Sequence, residues 1–189
     1  MIDFTSTRKE LKQATVSLRF VEKNIPKAFS AAMNRVSAGV KTEAAKKVRE
    51  TYYVKHGDVL KTIKVSKANP AKLEMLLTSR GPSIPLIKFR TTPSTPPARQ
   101  PKVLKAAVKK EGGKKPIRGA FVVQMGSGHV GVFRRAGKKR LPVDELYGPS
   151  IPVMLGEPGV AEHLQEEAQR RMGQRLDHEV NRVLGRFKP

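Results

Sequence analysis

The 189-residue sequence contains no cysteine and no tryptophan, and only 5% of its residues are aromatic. The absence of cysteine excludes disulfide bonds and thiolate metal sites, and it leaves the redox compartment open. So few large rings predict a thin hydrophobic core, which a partner would complete in an assembly. Acidic residues are also scarce: 16 stand against 38 lysines and arginines, which gives a formal net charge of +22. Because so much like charge repels itself, we expect an anionic partner nearby.

Long hydrophobic runs are missing as well. No stretch approaches the ~18 apolar residues of a membrane span. The first residues, MIDFTSTRKELKQ, do not show the basic segment and apolar run of a secretory signal. We therefore expect a soluble protein that is made inside the cell and has no membrane partner. The length fits a single domain over residues 1–189 with a modest core.

No residue pattern indicates catalysis, a metal or a cofactor. The histidines lack the short spacing of metal ligands: His163 and His178 are fifteen positions apart, which is over ~20 Å along a helix. The GPSIP segment is not a nucleophile elbow, because that motif reads G-x-S-x-G. We predict no catalytic residue, no metal site and no cofactor. The four histidines, expected to be surface or packing residues, are His56, His129, His163 and His178.

The segment GSGHVG, residues 126–131, has the letters of the dinucleotide-binding fingerprint G-x-G-x-x-G. That fingerprint needs a helix after the glycines, because the helix N-terminus holds the pyrophosphate. The residues that follow, VFRRAGKKR, do not form an amphipathic pattern. We interpret the segment as a hairpin turn, for which glycine is well suited. The alternative hypothesis, a nucleotide-dependent enzyme, would be supported by this segment alone.

Apolar residues recur at helical spacing through residues 1–55. Phe4, Leu11, Leu18 and Ile25 follow every seven positions, and Pro26 either breaks this helix or begins the next one. The pattern predicts two amphipathic helices or one kinked helix. Core packing explains the apolar seam, and a contact with a neighbouring subunit is the alternative. The second half of the seam consists of Phe29, Met33, Val36, Val40, Ala44 and Val48.

Prolines dominate the middle of the chain. Because proline lacks the N–H that a central strand donates, we expect residues 81–118 to form a long, basic arm or loop. A flexible linker is the alternative. The sequence IPLIKF within this arm is too apolar to be left in water without a reason. The prolines are Pro82, Pro85, Pro93, Pro96, Pro97 and Pro101.

The second half of the chain combines strands with a helix. GAFVVQM and VGVFRR flank the glycine-rich turn and predict a β-hairpin within residues 117–152, which also contain GPSIP. Helical spacing then predicts a long helix over residues 157–187, whose early acidic and late basic residues suit the helix dipole. The fold class is therefore α+β: N-terminal helices, central antiparallel hairpins with a long proline-rich arm, and a long C-terminal helix.

Positive charge is concentrated before residue 141. Residues 99–140 contain 13 basic residues and one acidic residue, whereas residues 141–189 contain 6 basic and 8 acidic residues. This density predicts a surface that faces phosphates or an acidic partner without reading base sequence. A solvated loop that keeps the protein soluble is the alternative. The candidate residues are Lys109, Lys110, Lys114, Lys115, Arg134, Arg135, Lys138, Lys139 and Arg140.

The stretch IRGAFVVQMGSGHVGVFRRAGKKRLPVDELYGPSIPVML resembles the bacteriophage minor tail protein Z family, the tail-completion proteins of long-tailed phages and prophages. An apolar strand, a turn, the basic run before Leu-Pro, and LYGPSIP carry the resemblance. It extends over residues 26–60 and 117–187. The resemblance implies a non-enzymatic virion protein that is present in the host cytoplasm during assembly. It would act at the head-proximal end of the tail, in the neck, and join tail to head.

The resemblance also implies a homo-oligomeric ring, with a hexamer as one option. Its partners would be other tail and neck proteins, such as a tail terminator, the tube or a head-tail connector, and the basic residues would contact phage DNA non-specifically or acidic neighbours. A basic DNA-binding architectural protein and a head-side connector are the alternatives. Tyr147 would anchor an interface or lie in the core. The candidate interface residues are Leu141, Pro142, Tyr147, Pro149 and Pro152.

Overall fold

The computed structural model describes the backbone of residues 4–185 and the side chains of residues 15–185. The chain forms two compact units. The first unit takes in the described parts of residues 1–41, 64–78 and 163–189, and the second takes in residues 42–63 and 79–162. The chain therefore passes through the first unit three times and through the second unit twice.

The described chain contains two long and two short helices. The first helix continues through Pro26, so the N-terminal residues form a single helix and not two. The last helix agrees with the one predicted over residues 157–187, of which the final two lie outside the described residues. The helices are α1 (Phe4–Thr51), α2 (His56–Thr62), α3 (Ile151–Leu155) and α4 (Pro158–Gly185).

Ten short strands complete the described elements, and the α+β fold class is confirmed. They form two three-stranded sheets, β4–β5–β6 and β7–β8–β9, and two two-stranded sheets, β1–β2 and β10–β3. Both three-stranded sheets are antiparallel. The strands are β1 (Ile63–Ser66), β2 (Leu76–Ser79), β3 (Ser83–Pro85), β4 (Arg90–Thr92), β5 (Leu104–Ala107), β6 (Lys115–Ile117), β7 (Ala120–Gln124), β8 (Val130–Arg135), β9 (Val143–Glu145) and β10 (Tyr147–Ser150).

In the first unit, α1 buries one residue per turn along one face. Residues four positions apart lie above one another on a helix, so apolar spacing produces a buried stripe. Val36 and Val40 belong to it as predicted, whereas Phe29 and Met33 are half-buried and alanines take their places. The Asn34 side-chain amide fixes the segment 64–78 to this helix, since it donates to the Ala68 carbonyl and accepts from the Ala68 N–H, both at 2.9 Å. The buried stripe in this unit is Ala28, Ala32, Val36 and Val40.

The N-terminal part of the predicted seam is not buried in the same way. Leu18 is 71% exposed and Val16 is 64% exposed. The side chains of Phe4 and Leu11 lie outside the described residues. Packing within the described chain therefore does not account for Leu18, although the same heptad spacing predicted it.

Residues 81–118, expected as a proline-rich arm, contain four strands and a 3-10 turn over Leu86–Lys88. Leu86 and Phe89 are buried, so the apolar part of this segment does not face water. Pro85 and Pro116 both lie on edge strands, where the missing N–H removes no ladder bond. Prolines exclude a central strand, but they permit strands at the edge of a sheet, which is where Pro85 and Pro116 lie. The longest stretches without a strand are 93–103 and 108–114.

The hairpin predicted around the glycine-rich turn is confirmed. Strands β7 and β8 pair antiparallel, with Val122 opposite Val132. The Met125 N–H donates to the His129 carbonyl at 2.8 Å, and Gly128 has a φ of +83°, which glycine adopts without strain. A strand follows this turn, so the helix that a dinucleotide fingerprint requires is not there.

Candidate partner-binding surface

In the second unit, main-chain hydrogen bonds hold the end of α1 against the residues that follow β5. The Tyr53 N–H donates to the Val108 carbonyl at 2.9 Å, and the Lys110 N–H donates to the Thr51 carbonyl at 2.8 Å. The last carbonyls of a helix have no partner within the helix, so this arrangement satisfies one of them. It also brings the basic residues after β5 beside the helix end.

All nine cations predicted to face a partner are exposed. The first four lie in and beside the connection from β5 to β6, and the other five lie at the end of β8 and in the loop before β9. The two groups therefore belong to different three-stranded sheets. The order of strands in the sheets thus assigns each group of cations to its own hairpin.

Three of these cations have partners among the described residues, and one of them, Arg135, lies over the Phe121 ring, 5.6 Å from its centroid. The Lys109 ammonium pairs with the Glu157 carboxylate and lies over the Tyr52 ring, 5.6 Å from its centroid. The Lys114 ammonium donates to the Thr92 hydroxyl. Lys109 thus acts first as a structural link between the end of α1 and the residue that precedes α4.

The Tyr52 hydroxyl donates to the same Glu157 carboxylate. Burial, followed by the hydrogen bond to Glu157, raises the pKa of Tyr52 to about 12. The hydrogen bond from Lys109, followed by the one from Tyr52, lowers the pKa of the Glu157 carboxyl. The side chains of Lys109 and Tyr52 therefore hold the Glu157 carboxylate in its charged form.

The Glu157→Gln variant should lose stability near neutral pH and lose less in acid. Because folding lowers the pKa of Glu157 below its ordinary value of 4.5, its stabilising contribution is present above that value. The contribution disappears as the pH falls through the lowered, folded-state pKa. Melting temperatures of wild type and variant, measured at about pH 7 and about pH 3, should therefore converge at the lower pH. The exposed Glu162→Gln serves as the control, and an equal difference at both pH values would contradict the assignment.

A pocket of 410 Å³ opens at the end of α1 within the second unit. Its volume is in the range of ligand-binding pockets, ~300–1,000 Å³. Tyr52, Tyr53 and Phe89 contribute aromatic surface, and no carboxylate is among its described lining residues. Five basic residues, here called the pocket cations, line it as well: Arg49, Lys55, Lys88, Arg90 and Lys110.

Of the pocket cations, only Lys110 was among the candidates from the sequence. The others come from the end of α1, the loop after it, and the residues around the 3-10 turn, which are distant in the sequence. A partial signal exists, since Lys88 and Arg90 flank the apolar Phe89 in the sequence. Phe89 is buried whereas both cations are exposed. Nothing in the sequence joins this segment to Arg49.

The GPSIP segment supports the wall of this pocket. Strand β10 pairs antiparallel with β3, and Gly148 lies opposite Ile84. A Cβ atom at position 148 would lie only 2.5 Å from Cε2 of Phe89, so glycine is needed for the ring to pack here. The GPSIP segment thus has a local structural role, although it carries no reactive side chain.

The candidate interface residues differ in exposure. Leu141 is 67% exposed and Tyr147 is 53% exposed. Tyr147 is therefore not a core residue, and its hydroxyl donates to Glu145 at 2.8 Å. This hydrogen bond, ahead of burial, raises the pKa of Tyr147. Pro142 is exposed as well, whereas Pro149 and Pro152 are half-buried.

Neither a metal-binding cluster nor a spanning helix occurs in the part of the chain that the structure describes. Within it, no three histidine, aspartate or glutamate side chains come together in a way that could hold a metal ion. No described helix is long and apolar enough to cross a membrane. The described surface features include exposed cations, exposed apolar side chains and a basic pocket.

The comparison with protein families identifies the family of this chain. The model of the prophage minor tail protein Z family matches residues 8–188, which include every described strand and nearly all of both long helices. The chain belongs to the prophage minor tail protein Z family. It is therefore a phage tail protein, located in the virion with other tail proteins, and a structural tail family favours a non-enzymatic role. No curated protein and no solved structure gives a significant match.

Proposed function

We propose that this tail protein acts at the head-proximal end of the tail and makes a finished tail competent to join the DNA-filled head. The observation that carries the proposal is the exposed, basic β8–β9 hairpin in a chain of a phage tail family. Where DNA enters the tail, exposed cations meet either phosphates or acidic neighbours. Neutralising phosphates releases counterions and gives affinity that does not depend on base sequence. This chemistry suits a site through which a whole genome passes.

The protein would work as a ring of identical subunits, with a hexamer as one option. Support comes from Leu141 and Tyr147, which expose large apolar side chains near one another in the sequence. Burial of such side chains against another subunit is favourable, and tyrosine is common among the residues that dominate interface energies. Pro142, Pro149 and Pro152 would stiffen the same segment, because proline reduces the freedom that binding must remove. Tail and neck proteins would be the other partners.

A phage with a stop codon in this gene should accumulate free tails of normal length and separate DNA-filled heads. The reason is that a protein needed only for joining leaves both halves complete. Electron microscopy of the lysate, together with plaque counts, measures the outcome, and adding the purified protein should restore joined particles. Short or missing tails would contradict the proposal, since they would assign the protein to tail polymerisation. Normal infectious particles would contradict it as well.

The triple variant Lys138→Gln, Lys139→Gln and Arg140→Gln should reduce joining while leaving the fold intact, because all three side chains are exposed. If this loop contacts DNA, the slope of log K against log salt should also become less steep, by about 0.9 for each lost phosphate contact. Lys23→Gln, Lys64→Gln and Lys67→Gln remove the same charge from exposed sites in the first unit and serve as the control. Equal losses from both triple variants would show an effect of net charge alone.

A further inference from the structure

The pocket at the end of α1 concentrates positive charge in a concave site. All five pocket cations have exposed side chains. Throughout the part of the chain that the structure describes, none of them forms an ion pair, although Glu157 lies beside the pocket. That carboxylate is already bound by Lys109 and Tyr52. The pocket therefore presents positive charge that no described carboxylate neutralises, which favours an anionic ligand.

One of the pocket cations is held in place. The Arg90 guanidinium lies over the Tyr53 ring, 5.5 Å from its centroid, and donates to the Tyr53 hydroxyl at 3.1 Å. A cation on an aromatic face is stabilised by the ring quadrupole, and it keeps donors available for a carboxylate, which a guanidinium binds with two parallel bonds. The site is thus partly organised before any ligand arrives, which lowers the entropy cost of binding.

The shape of the pocket favours one class of anion. Val54 and Phe89 give the pocket apolar surface between its cations. A DNA duplex is convex and presents its phosphates outward, so protruding cations such as those of the β8–β9 loop suit it better than a pocket. A short peptide can insert a carboxylate together with an apolar side chain, and recognition of acidic motifs by basic clusters is a recurring mode.

We infer that this pocket binds an acidic peptide segment, a loop or chain terminus of a neighbouring tail protein that carries carboxylates beside an apolar residue. Arg90 would bind one carboxylate in two-pronged fashion, while Lys55 and Lys88 would neutralise further acidic side chains. Phe89, held by the close approach of Gly148, would contact the apolar residue. This inference rests on membership of the tail family and not on the proposed position at the head-proximal end.

Binding of a fluorescein-labelled peptide, Glu-Asp-Glu-Phe-Glu-Asp, to the full-length protein tests the inference by fluorescence anisotropy. The variant Lys55→Gln with Lys88→Gln should weaken binding by about twofold to thirtyfold, and by more than the control variant, since exposed ion pairs contribute ~0.2–1 kcal/mol each. Lys61→Gln with Lys102→Gln removes the same charge from exposed sites of the same unit and should leave the affinity within about twofold. The neutral peptide Gln-Asn-Gln-Phe-Gln-Asn should bind much more weakly.

Three outcomes would overturn the inference. Equal weakening by both double variants would show attraction to net charge and no site. Tight binding of the neutral peptide would show an apolar site. A short duplex DNA that competes at the pocket, and whose affinity falls only in the Lys55→Gln, Lys88→Gln variant, would make the ligand a nucleic acid. If the stop-codon phage showed normal joining while the peptide bound as expected, only the proposed position in the virion would fail.

Discussion

Replacing Leu104 with alanine should lower the free energy of unfolding by about 2–5 kcal/mol, the usual cost of removing a buried leucine side chain. Leu104 is 0% exposed and lies in the central strand of the β4–β5–β6 sheet, opposite Ile117. The cost has two parts, since the truncation loses apolar burial and leaves a cavity that the sheet can only partly close. Chemical denaturation followed by circular dichroism measures the loss.

Val103→Ala provides a matched control for this variant. Val103 precedes Leu104 directly and is 37% exposed, so its truncation should change the unfolding free energy by less than ~1 kcal/mol. A Leu104→Ala loss as small as that of the control would mean that β5 is not packed as described. The result would also bear on the basic residues after β5, because this strand positions the connection that carries them.

Gly148→Ala should destabilise the protein by about 1–3 kcal/mol and distort the pocket at the same time. The added Cβ would meet Cε2 of Phe89 at 2.5 Å and Cζ at 2.9 Å, which are distances that carbon atoms do not occupy. Phe89 is 6% exposed, so its ring cannot move aside without disturbing its neighbours. Thermal unfolding measures the first effect, and binding of the acidic peptide probe measures the second.

Gly126→Ala is the control for Gly148→Ala. A Cβ at position 126 would have no atom within 4 Å and the residue does not have a positive φ, so this change should alter stability by less than ~1 kcal/mol. Combining Gly148→Ala with Phe89→Leu, which removes the ring, should give a smaller penalty for the alanine than in the wild type. A fully additive double variant would contradict the proposed contact between the two residues.

Much of the fold follows from periodicity in the sequence. The part of the α1 stripe from Val36 to Val48 and the long C-terminal helix both follow from apolar spacing of about four residues. The β7–β8 hairpin follows from two apolar runs around a glycine-rich turn. These features could be predicted because each depends on residues that are close together in the sequence. Leu18 marks the limit, since the same spacing predicted it in the seam and the structure leaves it exposed.

The proline-rich middle shows why other features could not be predicted in this way. Proline excludes a central strand, but the sequence does not reveal which strands are at an edge. That depends on the order of strands in the sheet, and Pro85 and Pro116 both lie on edges. All nine candidate cations are exposed, and their division between two sheets required the topology. Lys109 was predicted to face a partner, and its bond to Glu157 required a contact between residues 48 positions apart.

The sequence by itself determined the net charge, the exclusion of disulfides, the helical and hairpin segments, and the resemblance to a tail protein family that the family match confirms. These properties are local or additive along the chain. Only the tertiary structure brought Arg49, Lys55, Lys88, Arg90 and Lys110 around one pocket, and only it set Gly148 against Phe89. The physical reason is that both arrangements depend on strand pairing and on contacts with the end of α1, which join residues that no local pattern connects.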